Sequence, residues 1–170
     1  MLGIDPGSRA TGYGLVRLEG SRVHYERSGA IAPRASLSFA DRLVAVHDAL
    51  AHLLGELAPD EVAVESAFVR KSAKAALQIG HVRGVVLLAA RKSGAAIYEY
   101  TAPEVKMAVV RQGAAAKEQV AFMVRRLLPG VGAVTEDEAD ALAVALCHAH
   151  RSPLVTSARV AIPIRRFSRS

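Results

Sequence analysis

Cysteine is almost missing from this sequence, and several other familiar signals are absent with it. The single cysteine, Cys147, excludes an intramolecular disulfide and a cysteine-based zinc site, and its apolar surroundings predict a residue of the core. No basic segment followed by an apolar stretch opens the sequence, and the apolar run at residues 85–90 is far too short to span a bilayer. A cytoplasmic protein that does not enter a membrane is therefore expected. The glycines at 7, 12 and 14 do not form the dinucleotide-binding pattern GxGxxG.

Acidic residues are absent from two stretches, residues 66–93, which contain several Lys and Arg, and residues 151–170, which contain several Arg. The whole chain carries 22 Lys and Arg against 16 Asp and Glu, a formal charge of +6. A basic balance favours polyanionic partners, nucleic acid first and an anionic membrane surface second, although charge alone fits a merely soluble cationic protein equally well. The acids gather in the first 65 residues and at 136–140. This asymmetry predicts phosphate-binding surfaces around an acidic pocket.

The length of 170 residues and the hydrophobic content of 51% are enough for one well-filled domain. We place that domain at residues 1–150 and interpret residues 151–170 as a basic, flexible tail. The hydrophobic periods predict five strands and five helices, in the order β-β-β-α-β-α-β-α-α-α. A hairpin meander followed by parallel crossovers indicates an α/β fold, a mixed five-stranded sheet with helices on both faces. The strands are expected at residues 1–5, 12–18, 22–32, 61–65 and 95–100, and the helices at 38–57, 72–93, from 101 to about 112, 116–128 and 137–150.

Four carboxylates lie where such a fold could direct them to one point. Asp5 ends an apolar run before a turn, Glu65 ends a strand, and Asp137 and Asp140 are three residues apart on a helix, so they share a face. Parallel pairing of the first and fourth strands would set Asp5 beside Glu65. Four neighbouring acids repel one another unless a cation lies between them, and hard divalent ions prefer oxygen ligands. The pattern predicts a metal-dependent enzyme that acts on nucleic-acid phosphodiesters.

Each of these residues also has a simpler interpretation when it is taken alone. Asp5 could only form a turn, Glu65 could be a solvated strand end, and Asp137 and Asp140 could be charges favoured at a helix N-terminus. Two histidines that are two positions apart on a helix face different ways, so zinc binding is not expected, although His148 could reach the rim of the pocket. Only the joint occurrence of the acids favours a site.

Three segments of the sequence, in order and in spacing, resemble the RuvC family of Holliday-junction resolvases, within the ribonuclease H-like (integrase-like) nuclease superfamily. They are LGIDPGSRATGYGLV, VAVESAF and EDEADALAVALCHAH. The intervening segment VKMAVVRQGAAAKEQV also resembles a basic segment of the family. The resemblance extends from about Leu2 to His150, and three motifs in register are far more specific than any one of them.

The resemblance implies a homodimeric endonuclease in which each subunit cuts one of two like-polarity strands of a four-way DNA junction, in recombination and repair. It implies two Mg²⁺ or Mn²⁺ ions per active site and a branch-migration motor and a junction-binding protein as partners. The family's dimer contact corresponds to residues 73–91. The residues that match the family's motifs are Asp5, Glu65, Asp137 and Asp140 as metal ligands, Phe68 as a contact to a junction base, and Lys106 and Lys117 as DNA-contacting residues that assist cleavage.

The residues themselves suggest further roles. Phe68 precedes Arg70 and Lys71, an arrangement that fits an apolar wedge among phosphate contacts, and Lys74 extends the same basic stretch. Lys117 or Lys106 could stabilise the negative charge that develops on the phosphate, which makes Lys117 a candidate catalytic residue. Taken alone, however, Phe68 would more often be a core residue, and the two lysines would be solvated.

Three other functions remain open at the level of sequence. An Asp-x-Gly turn followed by a glycine-rich hairpin also opens ATPases of the actin and sugar-kinase type, but these need two such domains. A junction-binding module without catalysis would use the basic surface alone. A third alternative is a ribonuclease H-like relative that processes RNA, although the base-contacting loop and the four-acid pattern favour DNA. Nucleotide binding, metal-independent junction binding and RNA cleavage would distinguish these alternatives.

Overall fold

The computed structural model describes residues 1–66 and 73–151. Five strands, β1 (Leu2–Pro6), β2 (Thr11–Glu19), β3 (Arg22–Ile31), β4 (Glu61–Ser66) and β5 (Ala96–Thr101), form one mixed sheet in the order β3-β2-β1-β4-β5. The first three are antiparallel neighbours, whereas β1, β4 and β5 run parallel. The predicted parallel pairing of the first and fourth strands is therefore confirmed, as is the α/β fold.

Five helices, α1 (Phe39–Leu57), α2 (Ala73–Ser93), α3 (Ala102–Val110), α4 (Lys117–Leu127) and α5 (Glu136–Arg151), complete the described part of the fold. They cover both faces of the sheet. Successive residues of a strand point to opposite faces, so the two layers of helices pack against alternate residues of the same strands. Leu2, Ile4, Val62 and Val64 pack with α1 and α2 in one core cluster. Ala63 of the same strands packs with α3, α4 and α5 in the other. The expected two-faced arrangement is confirmed.

Local signals place most of the helix ends where the sequence predicts them. Thr101 and Glu104 form a reciprocal capping box at the start of α3, in which Glu104 accepts from the backbone of Thr101 and Thr101 accepts from the backbone of Glu104. The α1 helix begins after Ser38, whose hydroxyl accepts from the backbone amide of Asp41. In both caps a side-chain hydroxyl accepts a hydrogen bond from a backbone amide of the first turn, which has no partner within the helix.

The α5 helix lies unusually close to the sheet, and two glycines allow it. A β-carbon at Gly12 of β2 would collide with the carbonyl oxygen of Asp137, and one at Gly3 of β1 would collide with the carbonyl oxygen of Ala141. Glycine in a strand often marks such an approach of another backbone. The first turn of α5 is thus held directly against the strands that flank Asp5.

The α2 helix differs from α5 in how much of it is covered. Val82, Val86, Ala89 and Ala90 are buried, but Leu77 and Leu88 are among the exposed large apolar side chains of the described residues. By length and composition alone, α2 is the described helix that could cross a membrane. Its buried stripe instead belongs to the core cluster shared with α1 and the sheet, which leaves one apolar face to be explained.

Candidate active site

Asp5 and Glu65 meet at one edge of the sheet because their strands are parallel neighbours. Ile4 is in register with Val64 in the parallel pair β1–β4. The next residue of each strand is therefore also a neighbour of the other, and Asp5 lies beside Glu65. Both carboxyls are mostly shielded from solvent, and burial is the main reason that the pKa of Asp5 rises to about 6 and that of Glu65 to about 7. A shielded carboxylate resists ionisation unless a positive charge compensates it.

The helical acids come to the same edge through the first turn of α5. The carboxylates of Asp140 and Asp137 help to raise the pKa of Asp5, and Asp5 and Asp140 help to raise that of Glu65. Burial also raises the pKa of Asp140 itself. The four sequence-predicted acids, from three separate elements, thus act electrostatically on one another.

A capping box that the sequence analysis did not single out fixes the start of α5. Glu138 accepts from the backbone amide of Thr135, at 2.7 Å, and the Thr135 hydroxyl accepts from the backbone amide of Glu138. Glu138 also accepts a bond from the Ser28 hydroxyl on β3 at 3.2 Å. The T-x-x-E pattern is visible in the sequence, and it determines the turn on which Asp137 and Asp140 are placed.

Lys117, the first residue of α4, is a cation that directly contacts this acidic group. Its ammonium donates to Asp140 Oδ2 at 3.0 Å and to a carboxylate oxygen of Glu136. Burial alone would lower the pKa of Lys117, but the hydrogen bonds to Glu136 and Asp140 outweigh burial and hold it above its ordinary value. Glu136 was not predicted as part of the site. Glu136 is far from Lys117 in sequence, so the sequence does not reveal this ion pair. The packing of α4 against α5 brings the two side chains together.

Lys106 of α3 lies near the site without joining an ion pair in the described part of the chain. Its ammonium donates to the backbone carbonyl of Ala115 at 2.7 Å, which ties α3 to the segment that leads into α4. Its charge lowers the pKa of Glu65 against the effect of burial. Lys106 therefore faces the acidic group. Lys74, by contrast, is exposed near the start of α2.

Three predicted DNA-binding residues, Phe68, Arg70 and Lys71, lie outside the described residues, and so does the predicted tail after Arg151. One expectation about the rim of the pocket is wrong. His148 is fully buried, where its ring bonds Glu61 Oε2 at 2.9 Å and the Tyr100 hydroxyl at 2.7 Å. Glu61 begins β4 and Glu65 follows four residues later, so His148 belongs to the opposite end of that strand. The expectation failed because two helical turns carry the chain away from the site.

The donors of this group are all oxygens and Lys117 relieves their repulsion only in part, so the group is suitable for a hard divalent cation. Within residues 1–66 and 73–151, however, no three histidine, cysteine, aspartate or glutamate side chains lie close enough together to hold a metal ion as they stand. The Lys117 ammonium, bonded to Asp140, supplies part of the positive charge in this arrangement. The carboxylates would have to move closer together around a bound ion.

Comparison with known proteins agrees with this geometry. The sequence pattern of the family described as crossover junction endodeoxyribonuclease RuvC matches residues 1–148. A protein of that name from Acidiphilium cryptum is 50% identical over 160 residues, which cover 94% of this chain and 95% of the relative. Another, from Pelobacter propionicus, is 46% identical over 168 residues, or 99% of this chain and 96% of the relative.

Solved structures show the same fold. The Thermus thermophilus RuvC structure in complex with a Holliday junction substrate superposes with a TM-score of 0.80 at 34% identity, covering 87% of this chain and 91% of that one. The yeast mitochondrial resolvase Ydc2, at 13% identity and a TM-score of 0.65, shares the fold. The extent and level of these matches place the chain in the RuvC family of crossover junction endodeoxyribonucleases.

Proposed function

We propose that this protein is a metal-dependent endonuclease that resolves four-way DNA junctions by paired, symmetric cuts during recombination and repair. The observation that carries the proposal is the meeting of Asp5, Glu65, Asp137 and Asp140, from three elements, at one sheet edge in a chain of this family. Partly buried acids that raise the pKa values of Asp5 and Glu65 are costly in a protein without a bound cation.

These four carboxylates would hold two Mg²⁺ or Mn²⁺ ions, which would supply Lewis-acid stabilisation of the phosphate and lower the pKa of a bound water. The chain contributes the remaining chemistry through Lys117. Because its pKa is held above the ordinary value, Lys117 stays charged at neutral pH. In this proposal Lys117 is a fixed cation that stabilises negative charge on the phosphate, rather than a general base.

The DNA-binding surface in this proposal surrounds the acids. Lys106 and Lys117 contact the phosphates next to the cut, and Lys74 contacts a phosphate near the start of α2. Phe68 stacks on a junction base, with Arg70 and Lys71 on neighbouring phosphates. The support for this surface is the charge pattern: α2 carries no acid in its first turn, and Lys106 already lowers the pKa of Glu65. Phosphate contacts of this kind make binding steeply dependent on salt.

A homodimer would explain both the paired cuts and the open face of α2. Leu77 and Leu88 are 64% and 55% exposed, and they lie on one face because eleven residues make about three helical turns. Between them, Gly80 and Gly84 have open space where a β-carbon would be. Small residues flanked by leucines let two helices approach closely. The exposed apolar face is thus accounted for by a second copy of this chain, in a cytoplasmic enzyme that works with a branch-migration motor and a junction-binding protein.

The test is to incubate the protein with a labelled four-way junction, a matched linear duplex and an RNA–DNA hybrid, with Mg²⁺, Mn²⁺ or EDTA. We expect paired symmetric nicks in the junction alone, which disappear in EDTA and in Asp137→Asn. Asp48→Asn, which removes an exposed acid of α1, is the matched control and should cut normally.

Other outcomes would favour the alternatives. Junction binding without cutting under every metal would identify a binding module without catalysis. Cleavage of the hybrid would identify an enzyme that acts on RNA. An Asp137→Asn variant that cuts at the rate of the unmodified protein would refute the proposed site.

A further inference from the structure

The short loop at residues 7–10 follows Asp5 after one proline and joins β1 to β2. It is tightly wound, since a β-carbon at Gly7 would collide with the carbonyl oxygen of Ala10. One contact from outside the sheet anchors it: the Nη2 atom of Arg42, from α1, donates to the carbonyl oxygen of Ser8. Arg42 therefore links the α1 layer to the loop that directly follows a proposed metal ligand.

Two polar atoms beside this loop have no hydrogen-bond partner among the described residues, although both are shielded from solvent. They are Nε of Arg42 and Oγ1 of Thr11. Thr11 is only 1% exposed, so bulk water does not compensate its hydroxyl. An unpaired buried donor or acceptor destabilises the fold, and native proteins usually satisfy such groups.

Arg42 and Thr11 line the same small cavity, together with Gly7, Ser8 and Ala10 of the loop. Its volume is about 10 Å³, which is roughly the space for the centre of one water molecule. A water at this point could accept from the Arg42 Nε–H group and bond the Thr11 hydroxyl, which satisfies both atoms. The cavity thus has two unpaired polar atoms in its lining and is about the size of one water molecule.

We propose that one bound water fills this cavity and joins Arg42 to Thr11, and that this Arg42–water–Thr11 link is a positioning device for Asp5. The proposal rests on the assignment of Asp5 as a metal ligand. Arg42 and Thr11 touch neither the metal nor the DNA in this role. They act through the loop, which Arg42 contacts at Ser8 and which ends at Thr11.

The register of the sheet shows how the device reaches Asp5. Thr11 pairs with Pro6 and Gly12 pairs with Asp5, so Thr11 begins β2 at the position where β1 ends. Four residues connect the two strands, and a shift of the loop moves the end of β1 with it. Without Arg42, the Ser8 carbonyl loses this donor, and among the described residues the hydrogen bonds that still hold the loop are those of the β1–β2 ladder. The Asp5 carboxylate would then sample a wider range of positions, and metal binding would weaken.

The experiment measures single-turnover cleavage of a four-way junction while the metal concentration is varied, in Arg42→Met, Arg42→Lys, Thr11→Val and Thr11→Ser. We expect Arg42→Met to raise the half-saturating Mg²⁺ concentration by about 10-fold or more, as is typical when the groups that orient metal ligands are lost. Thr11→Val should produce a smaller rise, whereas Thr11→Ser and Arg42→Lys should recover part of the affinity. Junction binding in EDTA should stay unchanged in all four variants.

Arg27→Met is the matched control, since Arg27 pairs with Glu56 at the surface and should leave the metal dependence unchanged. If Arg42→Met does not fold, Arg42→Lys and Thr11→Ser still test the link. Unaltered metal dependence in folded Arg42→Met and Thr11→Val would overturn the positioning role, and a crystal structure with an empty cavity would overturn the water.

Asp5→Asn, measured in parallel, separates the two proposals. A fully active Asp5→Asn variant would overturn the metal site itself, and the positioning device with it. An inactive Asp5→Asn variant combined with normal metal dependence in the Arg42 variants would overturn the positioning device alone.

Discussion

At the scale of single residues, the positive charge of Lys117 is expected to act in two ways. Its ammonium bonds Asp140 and Glu136 and relieves their repulsion, and in the proposed function it also offers a fixed positive charge to a phosphate. We expect Lys117→Met to lower the single-turnover cleavage rate at saturating metal by about 10²–10³-fold, the typical effect of losing one preorganised donor. Lys117→Arg should retain part of the rate, because the charge remains.

The pH profile distinguishes a fixed cation from a general base. Because the pKa of Lys117 is held above its ordinary value, the residue stays protonated throughout the neutral range. The pH profile of Lys117→Met should therefore keep the shape of the unmodified protein at a lower level. Loss of one limb of the profile would instead indicate that Lys117 transfers a proton.

The pKa values of Asp5 and Glu65 predict how stability depends on pH without metal. Both are raised, to about 6 and about 7, chiefly by burial. Between about pH 4 and 7 the folded protein therefore binds more protons than the unfolded chain, so its free energy of unfolding falls as pH rises. Saturating Mg²⁺ should reverse this trend, because the ion binds the deprotonated carboxylates. Thermal unfolding at pH 5 and pH 7.5, in EDTA and in MgCl₂, measures both effects.

The double variant Asp5→Asn/Glu65→Gln provides the control for this measurement. It should show a flatter dependence on pH in EDTA and little stabilisation by Mg²⁺. Glu104 does not contribute to the dependence of stability on pH between pH 5 and pH 7.5, because hydrogen bonds from Thr101 and Arg151 lower its pKa to about 2. Its contribution to stability is fully present above about pH 4.5 and is lost only below. Equal pH slopes in the variant and the unmodified protein would contradict the buried-acid site.

At the scale of elements, the position of α5 depends on glycines in the strands beneath it. Gly12→Ala would place a methyl group against the carbonyl oxygen of Asp137. We expect it to cost about 1–3 kcal/mol in the free energy of unfolding, the usual range for overpacking. It should also reduce cleavage, since it displaces the turn that carries Asp137 and Asp140.

Gly55→Ala on α1 is the matched control, because a β-carbon there meets nothing within 4 Å. Alanine is the better helix former, so this change should leave stability unchanged or raise it by up to about 1 kcal/mol. Urea denaturation and junction cleavage measure both variants. A Gly12→Ala variant as stable and active as the unmodified protein would show that α5 can shift without harm to the site.

Elements whose signals are local could be predicted from the sequence. The start of α3 follows from Thr101 and Glu104, which need only each other, and the side-by-side position of Asp5 and Glu65 follows from the parallel pairing of two strands. The bond from Lys117 to Glu136 and that from Arg42 to Ser8 could not be predicted, since each joins residues far apart in sequence. His148 shows the same limit: its partners, Glu61 and Tyr100, are brought to it by two strands.

At the scale of the whole molecule, two faces of the described fold have different chemistry. The edge at Asp5 and Glu65 gathers acids and the lysines that oppose them, whereas α2 presents leucines and open glycines. An enzyme that makes two symmetric cuts needs two active sites held at a fixed distance, and one subunit provides one. We propose that the apolar face of α2 holds a second copy, because its glycines, flanked by leucines, would let two copies of the helix approach closely.

A charge introduced on the apolar face of α2 should therefore abolish the coordination between the two cuts. We expect Leu88→Glu to convert a dimer into a monomer in sedimentation at micromolar concentration, because the carboxylate would be buried against an apolar partner face. The metal-binding acids would stay intact, so the monomer should still bind Mg²⁺ but should no longer nick the two strands in a coordinated way. A supercoiled plasmid that extrudes a four-way junction reports this difference as nicked circles in place of linear product.

Val44→Glu on α1 is the matched control, since Val44 is 58% exposed and lies on a different helix; it should leave both the dimer and the paired cuts unchanged. If Val44→Glu produced monomers and Leu88→Glu did not, the interface would involve α1. If the unmodified protein sedimented only as a monomer and still made paired cuts, the two sites would have to be brought together by the junction. The exposed face of α2 would then need a different explanation.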